Sequence, residues 1–204
     1  IHLAAGARLE LLAASLGGEW LRQHHEVILA GAGAAATLQS IGLAVGDERW
    51  EWHTLQEHQT PRSRSDLLYA AALAGTARTR YRGRIRIAPA AAKSDAFQAS
   101  RNLLLATRCA AETHPELEIL HNDVRCTHGA SVGPVDEAQR FYLMSRGLPR
   151  PAADRLIAMG FFAATLARVP WSDRCADLTA ALAARLPEGA QGGEPRIAVK
   201  ENAP

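Results

Sequence analysis

The chain has 204 residues, 48% of them hydrophobic, and a formal net charge of +2. That composition supports a sizeable core and excludes wholesale disorder, while so small a charge gives no argument for nucleic acid or an anionic membrane surface as partner. No window approaches the ~18 uninterrupted apolar residues of a spanning helix, and Ile1-His2-Leu3 lacks the basic and apolar segments of a secretory leader.

From residue 1 to about 130 the pattern is that of short strands. Leu9-Glu10-Leu11, Val27-Ile28-Leu29 and Ile41 to Val45 are apolar or alternating runs separated by Gly, Pro and polar breaks. Trp50, Trp52 and Thr54 alternate with Glu51 and His53. In "RTRYRGRIRI" the period of two puts Arg78, Arg80, Arg82, Arg84 and Arg86 on one face, read as a solvated sheet surface. Tight hairpin signals are scarce, whereas a loose phrase recurs in "LAAGARLEL", "ILAGAGAAATL" and "ALAGTARTRYRG". Repeated strands with glycine-marked corners predict stacked coils, a β-solenoid, rather than a sandwich.

After Gly133 the period becomes helical. Asp136 is placed to cap a helix running through Phe141, Tyr142 and Met144 to Arg146, with Gly147 as its stop. A second helix has Pro151 in its first turn, an apolar stripe of Leu156, Ile157, Phe161 and Ala164, and Pro170 beyond its end. Ser172 is expected to cap a third, with Cys175, Leu178, Leu182 and Leu186 facing inward. The expected organisation is therefore a β domain over 1–133, a small helical domain over 134–186 and a flexible tail over 187–204.

The segment "CTHGASVG" at 126–133 holds two kinds of chemistry. Its Gly-x-Ser-x-Gly matches a nucleophile elbow, but the histidine base should then follow Ser131, and all eight histidines precede it, so a Gly-rich corner where sheet hands over to helix is the expectation. Gly31-x-Gly33-x-x-Ala36 resembles a dinucleotide-binding turn, yet the following residues alternate as a strand does, so a small-residue turn is the expectation. A phosphate-binding Gly-x4-Gly-Lys-Ser/Thr and a Cys-x2-Cys pair are both absent from the sequence. A polysaccharide-active enzyme would need a catalytic cluster on one solenoid face, where only the arginine row is found. Cys126-x-His128 remains. On a strand these side chains share a face, with Cα atoms roughly 6.5 Å apart, and both could reach one ion at ~2.0–2.3 Å. Two donors make half a site. The rest would come from Asp123, His121, Cys109 or another chain, and the alternative is a buried thiol beside a hydrogen-bonded imidazole. Three cysteines without a dense framework fit a reducing cytoplasm.

The stretch from Pro115 to Phe161 resembles the C-terminal signature of SufD-like members of the SufB/SufD family of iron–sulfur cluster assembly proteins. The likeness rests on Pro115 to Ile119, Asp123, Val124, Cys126, His128 to Ala130, Val132, Gly133, Asp136, Glu137, Phe141 to Leu143 and Ser145 to Gly147. A second block matches at Gly83, Ile85, Lys93, Asp95, Gln98 and Arg101 to Leu105, and a third at Glu57, His58, Ser65 and Tyr69. The resemblance implies a right-handed parallel β-helix followed by a small C-terminal helical domain, and a non-enzymatic role. It implies pairing with a SufB-like subunit through the strand of Val124, Cys126 and His128, with transient iron or an iron–sulfur cluster at the shared interface and no tightly bound cofactor in the chain alone. His128 and Cys126 are the metal candidates. Phe141, Tyr142, Arg146 and Gly147 are expected to dock a SufC-like ATPase. The chain by itself is expected to form a homodimer, and a self-associating β-helix with no metal role is the rival reading. Members of the family carry additional N-terminal sequence, and Ile1 stands where an initiator Met would be, so the β-helix is expected to lack its first part.

Overall fold

Half-buried strands that alternate inward and outward can stack only if every coil turns its corners in the same way. The computed structural model, which describes residues 1–187 and 198–199, meets that condition with two parallel sheets. The first sheet holds β1 (His2–Leu3), β3 (Trp20–Leu29), β5 (Arg49–His58), β7 (Arg78–Ile87) and β9 (Ala110–Ile119), and the second holds β2 (Arg8–Ser15), β4 (Ala35–Ala44), β6 (Arg64–Leu73), β8 (Asp95–Leu104) and β10 (Arg125–Pro134). The chain passes from one sheet to the other and back, so each coil lays its strands beside those of the coil before. Trp20, Arg49, Arg78 and Ala110 are register partners on successive coils. The architecture is the predicted parallel solenoid, followed by α1 (Glu137–Ser145), α2 (Arg150–Leu166) and α3 (Ser172–Arg185).

Left-handed corners explain the recurring glycine phrase: Gly75 of its third copy, at φ 71°, turns the chain from β6 to β7 beside Gly46, whereas the first two copies share the opposite corner. Gly6, Gly33, Arg62 and Lys93 occupy the left-handed region at φ between 57° and 72°. Each donates its backbone N–H to the next coil, at Ala32, Pro61, Ala92 and Asp123 respectively. Nearby Gly31 is required for a different reason: a Cβ there would lie 1.9 Å from the Ala5 nitrogen. The dinucleotide-like motif is thus a corner between β3 and β4, as expected of a small-residue turn.

Inside the coils Trp50, Trp52, Tyr69 and Tyr81 are fully buried, the two tyrosines stacked at 4.8 Å. Outside, the arginine row of β7 lies on the exposed face of the first sheet and is matched by glutamates on both neighbours. Arg80 pairs with Glu51 and Glu112, Arg84 with Glu116, and Arg86 with Glu57 and Glu118. This solvated ladder offsets the charge of Arg80, Arg84 and Arg86, three of the five arginines in the row.

The second sheet is covered on its outer face. Ile41, Leu43, Ala72 and Ala74 pack with Ala158, Phe162, Leu166, Leu182 and Leu186 of the helical segment. Burial on both faces is why β4 and β6 read as continuous apolar runs rather than alternating ones. Arg168 clamps Asp66 with two bonds at 2.7 and 2.8 Å, and Arg185 bonds Glu48 and the Leu43 carbonyl, fixing the helices to the coil.

Three local expectations are corrected. The buried stripe of α2 is Ala153, Asp154, Ala158, Phe162, Thr165 and Leu166, whereas Leu156 and Ala164 face solvent. A charged residue belongs to that stripe because Arg140 neutralises it, a partnership that hydrophobic periodicity does not register. Helix α3 begins at Ser172 with Trp171 in the N-cap position, one residue earlier than the hydroxyl suggested. Ser131 lies within the straight strand β10, which continues to Pro134, so neither a nucleophile elbow nor a glycine corner forms there. Of the expected tail at 187–204, Ala198–Val199 (β11) pairs with Glu112 and Thr113 of β9, and the rest beyond Pro187 lies outside the described residues.

Candidate metal site at the open end of the solenoid

Strand β10 pairs on one side only, with β8, and ends the second sheet. Among the described residues no strand lies on its other side, so its ten residues present an unpaired edge. Register fixes which side chains look inward. Cys126 is the partner of Ala96 and His128 of Gln98, both buried within the solenoid. Cys126 and His128 therefore share the inward face, as their spacing requires.

Because no described strand pairs along the outer edge of β10, the two residues sit at the mouth of the solenoid rather than sealed within it. Cys126 is half-buried against Ile85, Ile87, Ala91, Ala96 and Leu117, with Val124 at the same cluster. His128 is exposed and, among the described residues, its imidazole makes no hydrogen bond. Burial, and then the charge of Asp95, pushes the Cys126 thiol up to about 11. It is thus protonated near neutrality and becomes a ligand only when a cation or a partner's positive charge reaches it. Alkylation of Cys126 by iodoacetamide is expected to rise about tenfold per pH unit from 7 to 10, without the plateau near 8.5 of an ordinary thiol. Mass-spectrometric rates at that cysteine check this.

The described residues do not complete a site. Cys109 is buried in the main core and donates to the carbonyls of Ala106 and Leu73 at 2.8 and 3.4 Å. His121 accepts the Asp123 N–H at 3.0 Å within its own loop. Among the described residues no three His, Cys, Asp or Glu side chains are grouped to hold an ion. What the edge offers is one soft and one borderline donor facing the space a neighbouring chain would fill.

The other predicted surface is also accessible. Asp136 caps α1, accepting from the Ala138 and Gln139 N–H groups at 2.8 and 3.0 Å, and Gly147 ends it at φ 92°. Phe141 is 75% and Tyr142 57% exposed, and the Arg146 guanidinium lies 5.4 Å from the Tyr142 ring centre. Arg140 is the one buried residue of α1, held by Asp154 and Glu137. Sequence reasoning passed over that anchor, and also over the buried polar file of Thr54, Tyr81 and Gln98 inside the coils. Its trace in the sequence is polar residues at the inward positions of otherwise amphipathic strands.

No helix among the described residues is long and apolar enough to cross a membrane. Comparison with known proteins gives the lineage. A family profile described as "SUF system FeS cluster assembly, SufBD core domain" matches residues 1–161. The "Iron-sulfur cluster assembly protein SufD" of Escherichia coli is 32% identical over 176 residues, covering 86% of this chain and 42% of that protein. An "Iron-sulfur cluster assembly SufBD family protein" of Mycobacterium tuberculosis is 33% identical over 197 residues, 89% of this chain and 50% of that one. A protein of the same description from Mycobacterium leprae is 33% identical over 184 residues, with 83% and 47% covered. The chain spans about half the length of these relatives or less. With the solenoid, the matched core domain and these identities in hand, the chain belongs to the SufB/SufD family of the SUF system.

Proposed function

We propose that this chain is a SufD-like, non-catalytic subunit of an iron–sulfur cluster assembly complex in the cytoplasm. It pairs through the β10 edge with a SufB-like subunit and docks a SufC-like ATPase on α1. The observation that carries this reading is the coincidence of an unpaired ten-residue edge with an inward-facing thiol and imidazole at the same strand.

Strand addition at such an edge satisfies the exposed backbone groups of both partners and sets their side chains in register across the joint. His128 and Cys126 then meet donors from the partner, and iron or a nascent cluster is held as cargo between two chains. A site divided in this way opens when the chains move apart, which suits a cargo that must leave. The raised thiol keeps Cys126 idle until the cation arrives. On α1, Phe141 and Tyr142 supply an exposed aromatic surface, with Arg146 beside it and Gly147 turning the chain away. Nucleic acid and membrane have no part in this scheme.

The test is His128→Ala in the assembled complex with its SufB-like and SufC-like partners. Cluster build-up, followed by visible absorption, is expected to fall about tenfold or more, with the complex intact by size-exclusion chromatography. Undiminished assembly overturns the role of His128. The same open edge also fits a second copy of this chain, and a homodimer is the form proposed for the chain in isolation. A chain that pairs only with itself, and whose removal leaves cluster build-up unchanged, would instead be a self-associating β-helix with no metal role.

A further inference from the structure

The two sheets do not end alike. Strand β10 is unpaired along its outer edge, whereas β9 has a strand laid beside it. That strand is β11, which returns from beyond the helical segment: Ala198 pairs with Glu112 and Val199 with Thr113, in parallel. The pairing continues the stacked register of the coils. Arg22, Glu51, Arg80, Glu112 and Ala198 are successive partners, as are Gln23, Trp52, Tyr81, Thr113 and Val199. Strand β11 therefore occupies the place of the next strand of the first sheet, about 4.8 Å beyond β9. Its Cα atoms also come within 8 Å of β10 without pairing with it.

The first sheet thus ends on the chain's own C-terminal strand. An open edge recruits strands from other chains, and covering it prevents that. The cover here is short, two residues against the ten of β9. It is held by few backbone hydrogen bonds, each worth about 1 kcal/mol net. It is also tethered to the helical segment, so an incoming strand competes with an intramolecular one at high effective concentration. Two strands cannot lie beside Glu112 and Thr113 at once, and β9 and β10 form the last coil together. A second chain that joins the whole rim of the solenoid must therefore displace β11.

We propose that β11 is an intramolecular cap on the β9 edge, released when a partner's strand takes its place beside Glu112 and Thr113. A capped chain offers only the β10 half of the joint, so weak or chance pairing is held back, while a partner that engages both edges gains enough to remove the cap. The partner this fits is a polypeptide with its own unpaired strand, which adds by backbone hydrogen bonding. The purpose of the cap rests on the reading of the β10 edge as a joint between chains, whereas its seat on β9 does not.

The test keeps the full chain and compares it with the double variant Ala198→Pro, Val199→Pro, which removes both backbone N–H groups of β11 and holds φ away from strand values. Hydrogen exchange is followed at a dilution where the chain is monomeric. The outward amides around Glu112 and Thr113 are expected to exchange about fivefold faster in the variant, the scale of one net hydrogen bond. The apparent Kd for the SufB-like partner is expected to fall by a similar factor, because no fraction of the variant is held capped. Equal exchange in the two chains overturns the cap. So does wild-type exchange there as fast as in the urea-unfolded chain, whether or not the variant folds. Faster exchange with unchanged or weaker partner binding overturns the competition with assembly. Since His128 is intact throughout and no cluster is built, these failures are distinct from a failure of the His128→Ala assay.

Discussion

Asp154→Ala is expected to lower unfolding stability by about 3 kcal/mol, at the low end of the range for removing one partner of a buried pair. Asp154 Oδ1 receives the Arg140 Nε–H at 2.5 Å, and both side chains are nearly inaccessible, at 4% and 8%. Without the carboxylate, Arg140 keeps only Glu137, which is 78% exposed and therefore a weak counter-charge. The loss is local in origin. Arg140 is the sole buried residue of α1, so the pair is what seats that helix on α2. Urea denaturation of the variant should show the lowered midpoint, and limited proteolysis should cut near Phe141 and Tyr142 before the solenoid opens. The double variant Arg140→Met, Asp154→Leu is expected to recover most of the stability, because two apolar groups of similar volume leave no buried charge. If the surface of α1 docks an ATPase, the single variant loses docking through misplacement of Phe141 and Tyr142, and the double variant regains it.

What the sequence made legible follows from which physical rule acted alone. Strand alternation in β5 and β7 was plain because one face of that sheet meets water and the other the core, so a period of two survives. The α1 boundaries were equally readable, since an N-cap aspartate and a positive-φ glycine act within a few residues of themselves. The α2 stripe was misjudged where tertiary partners overrode the pattern: Asp154 is buried by Arg140, and Ala153 and Ala158 are inside although Leu156 is not. In α2, Ala158 packs beside Phe162 and Leu166 against the sheet, so side-chain size alone does not mark the buried face. The candidate site was half legible. Spacing placed Cys126 and His128 on one face, but only the order of strands shows that no described strand pairs with the outer edge of β10 and that the face opens outward. The polar file ending at Gln98 was hidden for a related reason. Residues 54, 81 and 98 are far apart in sequence and meet only through the stacking of coils. The arginine row shows the converse, where Arg80, Arg84 and Arg86 of a conspicuous local pattern are balanced by glutamates about thirty residues away in sequence.

Acidification should destabilise the solenoid through one buried imidazole. His58 is wholly inaccessible, with Nδ1 2.8 Å from Ser63 Oγ and Nε2 2.8 Å from Ser65 Oγ. Ser63 in turn reaches Ser94 at 2.9 Å, so the ring knits three successive segments of one corner together. Burial holds its pKa down to about 4, against 6.5 for an ordinary histidine, and Asp95 opposes that shift only in part. The folded state therefore binds the proton less readily than the unfolded chain. Its contribution is complete above pH 6.5, declines by about 1.4 kcal/mol per unit as the pH falls, and is gone by pH 4, a total of about 3 kcal/mol. Urea unfolding from pH 7.5 to 4 should show this slope on top of whatever the carboxylates add near pH 4. The slope between pH 6.5 and 5 should shrink in His58→Asn, which keeps hydrogen-bonding capacity for the serines and cannot titrate. The partly buried His25, whose pKa burial also lowers, contributes in the same direction, and His25→Gln measures its share. A wild-type stability that stays flat from pH 6.5 to 5 would mean that His58 accepts its proton in the folded coil, through rearrangement of Ser63 and Ser65 that this tightly packed corner does not otherwise allow.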